Sequence, residues 1–386
     1  MVLGTRPEAI KLAPVIRNLR EQPDRFDPVV MTTSQHREML AQALAAFDLV
    51  PDYDLGLTHA NQTLAEFTAH AVIALTRSFA ELKPDMLLVQ GDTSTVVAAV
   101  LAAFYQGIPV GHVEAGLRSG DMRRPFPEEA NRRIASVATD LHFCPTATAR
   151  ANLLREGLSE HDIFITGNTI VDALMSIAAQ RNFEDDILRT VDWSRPVLLA
   201  TIHRRENLGA NLAEVCAALK SIASQRPQAQ IIIPVHLNPK VREVVFRLLG
   251  ETRGVFLTNP LSYPDILEVM RQSTLVLTDS GGIQEEAPAL AKPVLILRTV
   301  TERPEVVSSG FGRLVGTSHQ EILTQTLNLL DNPEARAAMT SGVNPFGDGK
   351  ASERIAEIIW QRFQAGKPFA TAEPRPIAVW DELTAL

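Results

Sequence analysis

Three acidic residues stand where apolar runs end and the chain should leave a β-strand. Asp92 lies in Gly91-Asp92-Thr93-Ser94-Thr95, Glu114 in His112-Val113-Glu114-Ala115-Gly116-Leu117-Arg118, and Glu128 in Pro125-Phe126-Pro127-Glu128-Glu129. Taken singly, Asp92 reads as a helix N-cap and Glu128 as an acid favoured by the dipole of a first helical turn. Their convergence on one edge of one sheet points instead to proton transfer. Neighbouring carboxylates repel, so one can be held protonated near neutral pH beside another that is ionised. His203, in Thr201-Ile202-His203-Arg204-Arg205-Glu206-Asn207, is a further group able to take or lend a proton.

The other strand-end groups suit an anion. Gly4-Thr5-Arg6-Pro7-Glu8-Ala9-Ile10-Lys11 sets Gly4 in a tight turn, with Arg6 and Lys11 beside the start of a helix, where free N–H groups attract negative charge, and taken alone it reads equally as an ordinary βα turn with solvated basic residues. Arg204 follows His203 as half of a diphosphate clamp. Thr278-Asp279-Ser280-Gly281-Gly282-Ile283-Gln284-Glu285-Glu286 ends a strand and opens a helix; Ser280, Gly281 and Gly282 let a phosphate approach the backbone closely, and Glu286 is placed to reach a ribose diol. His236, in Pro234-Val235-His236-Leu237-Asn238-Pro239, is as readily a satisfied loop histidine as a ligand contact. Arg298 to Glu305 adds a charged loop after the next strand.

Strands must carry these residues at their carboxyl ends, where open parallel sheets bind ligands. Strand candidates fall at 27–33, 85–91, 109–115, 140–146 and 162–168, and again at 195–203, 229–236, 254–260, 274–280, 292–298 and 312–317. Helical stretches separate them, which implies parallel sheets covered on both faces. The fold class is therefore α/β, with two Rossmann-like domains and a ligand cleft between them. The first domain spans 1–167 and the second 168–350, with the C-terminal segment from about 351 to 386 returning to the first. The charged stretch Arg181–Pro196 reads as a surface excursion and the tail after Gly366 as extended. Only Met1–Leu3 precede Gly4, so a first strand there is short or continues upstream of Met1.

A 386-residue chain is long enough for two domains. Its net charge of −8 argues against a general nucleic-acid binder. Two distant cysteines, Cys144 and Cys216, have no metal spacing and read as reduced thiols. The N-terminus lacks the form of a signal peptide, and no apolar run is long enough for a membrane span, so cytosol is the expectation. There is no Walker loop, no GxSxG elbow, no three-glycine dinucleotide fingerprint and no zinc spacing.

GTRPEAIK, GDTST, HVEAGLRS, FPEEANRR, TIHRREN, PVHLNP, DSGGIQEEAP, TERPE and NPFGDGKASERI occur in this order along nearly the whole chain. Together they resemble the non-hydrolysing bacterial UDP-N-acetylglucosamine 2-epimerases. The resemblance implies a GT-B arrangement closing over a UDP-sugar, with the helix 351–365 crossing back to the first domain. It implies Asp92, Glu114, Glu128 and His203 as catalytic acid/base groups. Arg6, Lys11, Arg204, His236, Ser280, Gly281, Gly282 and Glu286 would hold the substrate. Gln35, His36 and Gln62 match the region implied in allosteric control by UDP-N-acetylglucosamine. The resemblance also implies a homodimer, no metal and no redox cofactor, and a place in cell-surface polysaccharide biosynthesis. Two departures stand out: Gln90 where a histidine commonly precedes GDT, and the basic run Asp121-Met122-Arg123-Arg124. A hydrolysing epimerase, an epimerase of a diacetamido-uronic UDP-sugar, a GT-B glycosyltransferase and a plain nucleotide-sugar binder remain the competing readings.

Overall fold

The computed structural model describes residues 1–33, 37–59, 62–123, 125–177, 183–204, 207 and 209–366. The chain forms two α/β units. One comprises residues 1–40, 50–165 and those from Glu353 onward; the other comprises 41–49 and 166–352.

In the first unit, β1 (Val2–Leu3), β2 (Met31–Thr32) and β3 (Tyr53–Asp54) form one hydrogen-bonded set, and β4 (Leu87–Gln90), β5 (Val110–Val113), β6 (Leu141–Cys144) and β7 (Ile163–Ile165) another. Every pairing is parallel. β1 packs beside β4, so the spatial order is β3-β2-β1-β4-β5-β6-β7. The order reverses direction between β1 and β4, a topological switch point. The central strands are buried on both faces, which is why they read as continuous apolar runs. The helix Ser94–Tyr105 follows β4, and Ala98, Ala99, Ala102 and Ala103 are fully buried along it. A helix apolar on most sides belongs inside a layer, and small residues let the helix Leu64–Leu82 approach it closely.

The second unit holds six parallel strands: β8 (Val197–Thr201), β9 (Gln230–Pro234), β10 (Val255–Thr258), β11 (Leu275–Thr278), β12 (Val294–Ile296) and β13 (Gly312–Leu314). Their order is β10-β9-β8-β11-β12-β13, the Rossmann order, with the switch point between β8 and β11. Leu198, Ala200, Ile231, Ile233, Leu275 and Leu277 project into a core closed by Leu212, Val215, Leu219 and Ile222 of the helix Ala210–Gln225.

The α/β class and the parallel strands match the expectation. Three elements differ from it. β3 is two exposed residues with no apolar run to announce it. A helix at Thr169–Ser176 begins where the sequence suggested only a boundary, with Asn168 accepting from the Ile170 N–H at 3.1 Å as its cap. The stretch expected to be a surface excursion is anchored where it is described: Leu188 is fully buried, Phe183 stacks on Trp193 at 4.7 Å, and Asp265 accepts from the Glu184 and Asp185 N–H groups at 3.1 Å each. β1 covers Val2–Leu3. Among the described residues, no helix is long and apolar enough to cross a membrane.

Candidate active site

At the first switch point, the loops after β1 and β4 are tied together by Glu8. Its Oε2 accepts from the N–H groups of Gly4 at 2.6 Å and Thr5 at 2.8 Å, and its Oε1 accepts from the Thr93 hydroxyl. Burial pushes the Glu8 carboxyl up to about 6, and these hydrogen bonds oppose the rise. Gly4 is required by packing rather than by a turn: a Cβ there would collide with the hydroxyls of Thr33 and Thr95, which bond to each other at 3.0 Å.

The three carboxylates hang from this frame. Glu114, just after β5, takes a left-handed backbone with φ 67°, which costs roughly 1–2 kcal/mol for a residue with a Cβ. Its Oε1 meets Lys11 Nζ at 2.6 Å, and its Oε2 accepts from the Gln90 amide. Asp92 Oδ2 pairs with Arg132 at 2.7 Å, and Asn131 donates to the Asp92 carbonyl at 2.8 Å. Arg132 lies one turn from Glu128 on the helix Glu128–Val137, so a single face of that helix serves both acids. Glu128 Oε2 is buried and has no hydrogen-bond partner among the described residues. A carboxylate oxygen left so is expensive unless something else binds there. Beneath the loop, His112 Nε2 bonds to the Gly91 carbonyl at 2.7 Å, and burial pulls this imidazole down to about 4.

Several neighbouring polar residues are structural. Glu129 is fully buried and accepts from the Ser119 N–H at 2.9 Å and from Arg132 at 3.0 Å. Arg118 is spent on Glu156. Arg6 is half-buried and makes no ion pair with a described residue. Arg123 is exposed; Arg124 lies outside the described residues.

The second switch point is organised by Asp279, which is fully buried. It accepts from the His203 N–H at 3.0 Å, the Arg204 N–H at 2.9 Å and the Asn207 amide at 2.9 Å, and pairs with His203 Nδ1 at 3.0 Å. Burial pushes this carboxyl up, but these contacts outweigh it and hold it below the usual carboxylate range. The His203 and His236 rings stack at 6.0 Å.

One residue further on, Ser280 leaves its helix without a side-chain cap; its own N–H goes to Thr278 Oγ1 at 2.9 Å. The first N–H groups of Gly281–Ala289 are therefore open to an anion. A Cβ on Gly281 would stand 2.8 Å from Arg303 Nη1, so the guanidinium lies directly over this helix end. Glu285 Oε1 holds it there at 2.8 Å. Arg298 pairs with Glu302 at 2.7 Å. Burial of Glu302 opposes its ionisation, but Arg298, Arg303 and Arg204 pull its carboxyl down to about 2. Arg204 Nε is buried without a partner among the described residues. Glu286 accepts from the Tyr263 hydroxyl at 3.2 Å.

The structure thus brings Asp92, Glu114 and Glu128 to one switch point and His203, Arg204, His236, Ser280, Gly281, Gly282 and Glu286 to the other. Lys11, expected beside a nucleotide, is placed against Glu114. Gln62 donates to the Leu57 carbonyl at 3.2 Å within its own loop. Gln35 and His36 lie outside the described residues. Glu8, Asp279 and Arg303 were not singled out from sequence. Glu8 and Asp279 sit inside quoted motifs, and Arg303 in a loop noted only for its charge. Among the described residues, no group of three or more His, Cys, Asp or Glu could hold a metal ion.

Two Rossmann-like sets of parallel strands, each with polar groups gathered at its switch point, define the class of nucleotide-binding α/β proteins. Comparison with known proteins narrows this. A family model described as UDP-N-acetylglucosamine 2-epimerase matches residues 17–360. The chain is 49% identical over 366 residues to UDP-N-acetylglucosamine 2-epimerase of Escherichia coli K12, covering 93% of this chain and 97% of that one. It is 46% identical over 356 residues to the Bacillus subtilis protein of the same name, covering 92% and 93%. The crystal structure of UDP-GlcNAc 2-epimerase from Neisseria meningitidis bound to UDP-GlcNAc is similar with a TM-score of 0.87 at 43% identity, covering 93% of this chain and 98% of that one. The chain belongs to the UDP-N-acetylglucosamine 2-epimerase family.

Proposed function

We propose that this chain interconverts UDP-N-acetylglucosamine and UDP-N-acetylmannosamine without hydrolysis, by eliminating UDP and adding it back. The C2 proton of the sugar has no adjacent carbonyl and is barely acidic. Once the C1–O bond breaks and its electron pair leaves with UDP, C1 is electron-poor and C2 can lose its proton. A carboxylate takes that proton and 2-acetamidoglucal forms. UDP then returns to C1 as a proton is delivered to the opposite face of C2.

Such a reaction asks for donors to the departing diphosphate and for acid/base groups on two faces of one carbon. The open helix end at Ser280–Gly282, with Arg303 and Arg204, suits the first need. The observation that carries the reading is the trio Asp92, Glu114 and Glu128: three carboxylates in three different settings at one strand edge. One is paired with lysine, one with arginine, and one keeps a buried oxygen free of any described partner. A glycosyltransferase has no need of such a set. Lys11 and Gln90 together hold Glu114 in place, and Glu8 holds the loop that carries Asp92.

The relative from Neisseria meningitidis was crystallised with UDP-GlcNAc, which supports this substrate class here. A second copy of the chain is the partner we propose for the first unit, whose helices expose Ile73, Tyr105 and, just before the helix Glu128–Val137, Phe126. Proton NMR of the pure protein with UDP-N-acetylglucosamine tests the reaction. UDP-N-acetylmannosamine should accumulate to a fixed ratio. Free UDP and free sugar as the main products would contradict it.

A further inference from the structure

His203 and His236 both end strands in the second unit, and their rings stack at 6.0 Å with 22° between planes. Each ring has one nitrogen already committed, and the two commitments are opposite. His203 Nδ1 faces Asp279 Oδ1 at 3.0 Å, and a carboxylate there can only accept. His203 therefore carries a proton on Nδ1. His236 Nδ1 accepts from the backbone N–H of Asn238 at 3.1 Å, so it carries none. In a neutral imidazole the other nitrogen takes the opposite role.

We propose that Asp279 and the Asn238 N–H wire the stacked pair in opposite tautomers, so that His203 presents a bare Nε2, the point of proton uptake, beside the Nε2–H of His236, a donor to a diphosphate oxygen. Asp279 is then a positioning residue acting through His203. Its carboxylate fixes the ring, stabilises the imidazolium when Nε2 takes a proton, and through the Arg204 N–H and the Asn207 amide fixes the loop as well. His236 stays neutral in this arrangement, because burial holds it below the ordinary imidazole range, the positive charge that His203 gains on taking a proton pushes the same way, and only Asp279 opposes them. In the diphosphate complex His236 donates through Nε2–H. His203 takes a proton from water at Nε2 as the diphosphate binds and gives it to the ester oxygen as the C1–O bond breaks, so that proton and the electron pair both end on UDP, and re-addition of UDP to C1 hands the proton back to His203.

This wiring rests on the reaction proposed above, and its test is independent of turnover. The full chain, labelled with 15N-histidine, is studied by long-range 15N–1H correlation at neutral pH, with His203→Gln and His236→Gln supplying the assignments. The expected result is a protonated Nδ1 and bare Nε2 for His203, and the reverse for His236. A bare Nδ1 on His203, or a protonated Nδ1 on His236, would overturn the wiring. Asp279→Asn should release the His203 preference and lower kcat about a hundredfold or more, while UDP affinity changes little. A folded Asp279→Asn protein with unchanged kcat would overturn the positioning role. If the unaltered protein leaves UDP-N-acetylglucosamine untouched, the reaction fails, and the spectra still decide the wiring.

Discussion

Lys11 and Glu114, 103 positions apart in sequence, meet at 2.6 Å inside the first unit, with both side chains almost wholly shielded from water. A pair taken out of water gains strength from the low dielectric but depends on both members. Removing one leaves an uncompensated buried charge, a loss of about 3 kcal/mol or more. Lys11→Met should therefore lower the unfolding free energy obtained by urea titration by that amount and reduce turnover together. A stability change within about 0.5 kcal/mol, the range of ordinary surface substitutions, would show that Lys11 does not hold Glu114.

Glu114→Gln keeps the shape and hydrogen-bonding capacity of the side chain and removes its basicity. Turnover should fall about a hundredfold or more, with UDP affinity by calorimetry nearly intact. Glu128→Gln should behave alike, since its unpartnered oxygen lies on the same edge. Equal losses in kcat and in UDP affinity would place these acids in binding rather than proton transfer.

Gly282 has open space where a Cβ would go, its nearest neighbour Ser280 Oγ at 3.9 Å. Alanine is a better helix former than glycine. Gly282→Ala should keep or raise the melting temperature, yet weaken UDP binding about tenfold or more, the scale of one lost charge-assisted hydrogen bond. Unchanged UDP affinity would remove this helix end from the phosphate site.

His112 and His142 face each other across β5 and β6, and burial pulls them down to about 4 and about 3. An unfolded imidazole titrates near 6.5. Between these values the unfolded chain binds more protons, so stability is present above about pH 6.5 and is lost as pH falls toward 4. Glu8, pushed up to about 6, acts in the opposite direction, losing its contribution as pH rises through 6, and Asp140, Asp172 and Asp265, raised by burial, act as Glu8 does, whereas Asp279 and Glu302, held down by their partners, act with the histidines. The melting temperature should be lower at pH 5 than at pH 7, and His142→Leu should shrink the difference. An equal or higher value at pH 5 would contradict the buried-neutral assignment.

Strand ends were legible because a buried parallel strand is an apolar run that must stop, and the polar residue that stops it is in the sequence. Asp92, Glu114 and His203 were found in this way. The partners that set their chemistry were not legible. Gln90 looked like a departure from a pattern, but it is the residue that reaches Glu114. Asp279 looked like a lead-in to Ser-Gly-Gly, but it gathers contacts from a loop more than seventy residues earlier. Arg303 can lie over Gly281 only because that position lacks a side chain, a relation between two distant residues that no spacing announces. The Arg181–Pro196 stretch was misread because its charges mask Phe183, Leu188 and Val191, which are what the fold buries.

The central claim is that the C2 proton is removed and replaced while UDP is detached. The most direct measurement is incubation of the protein with UDP-N-acetylglucosamine in D2O, followed by proton NMR. The account predicts UDP-N-acetylmannosamine carrying deuterium at C2, with deuterium appearing at C2 of the remaining substrate as well. Epimerised product that retains its original C2 proton would contradict it.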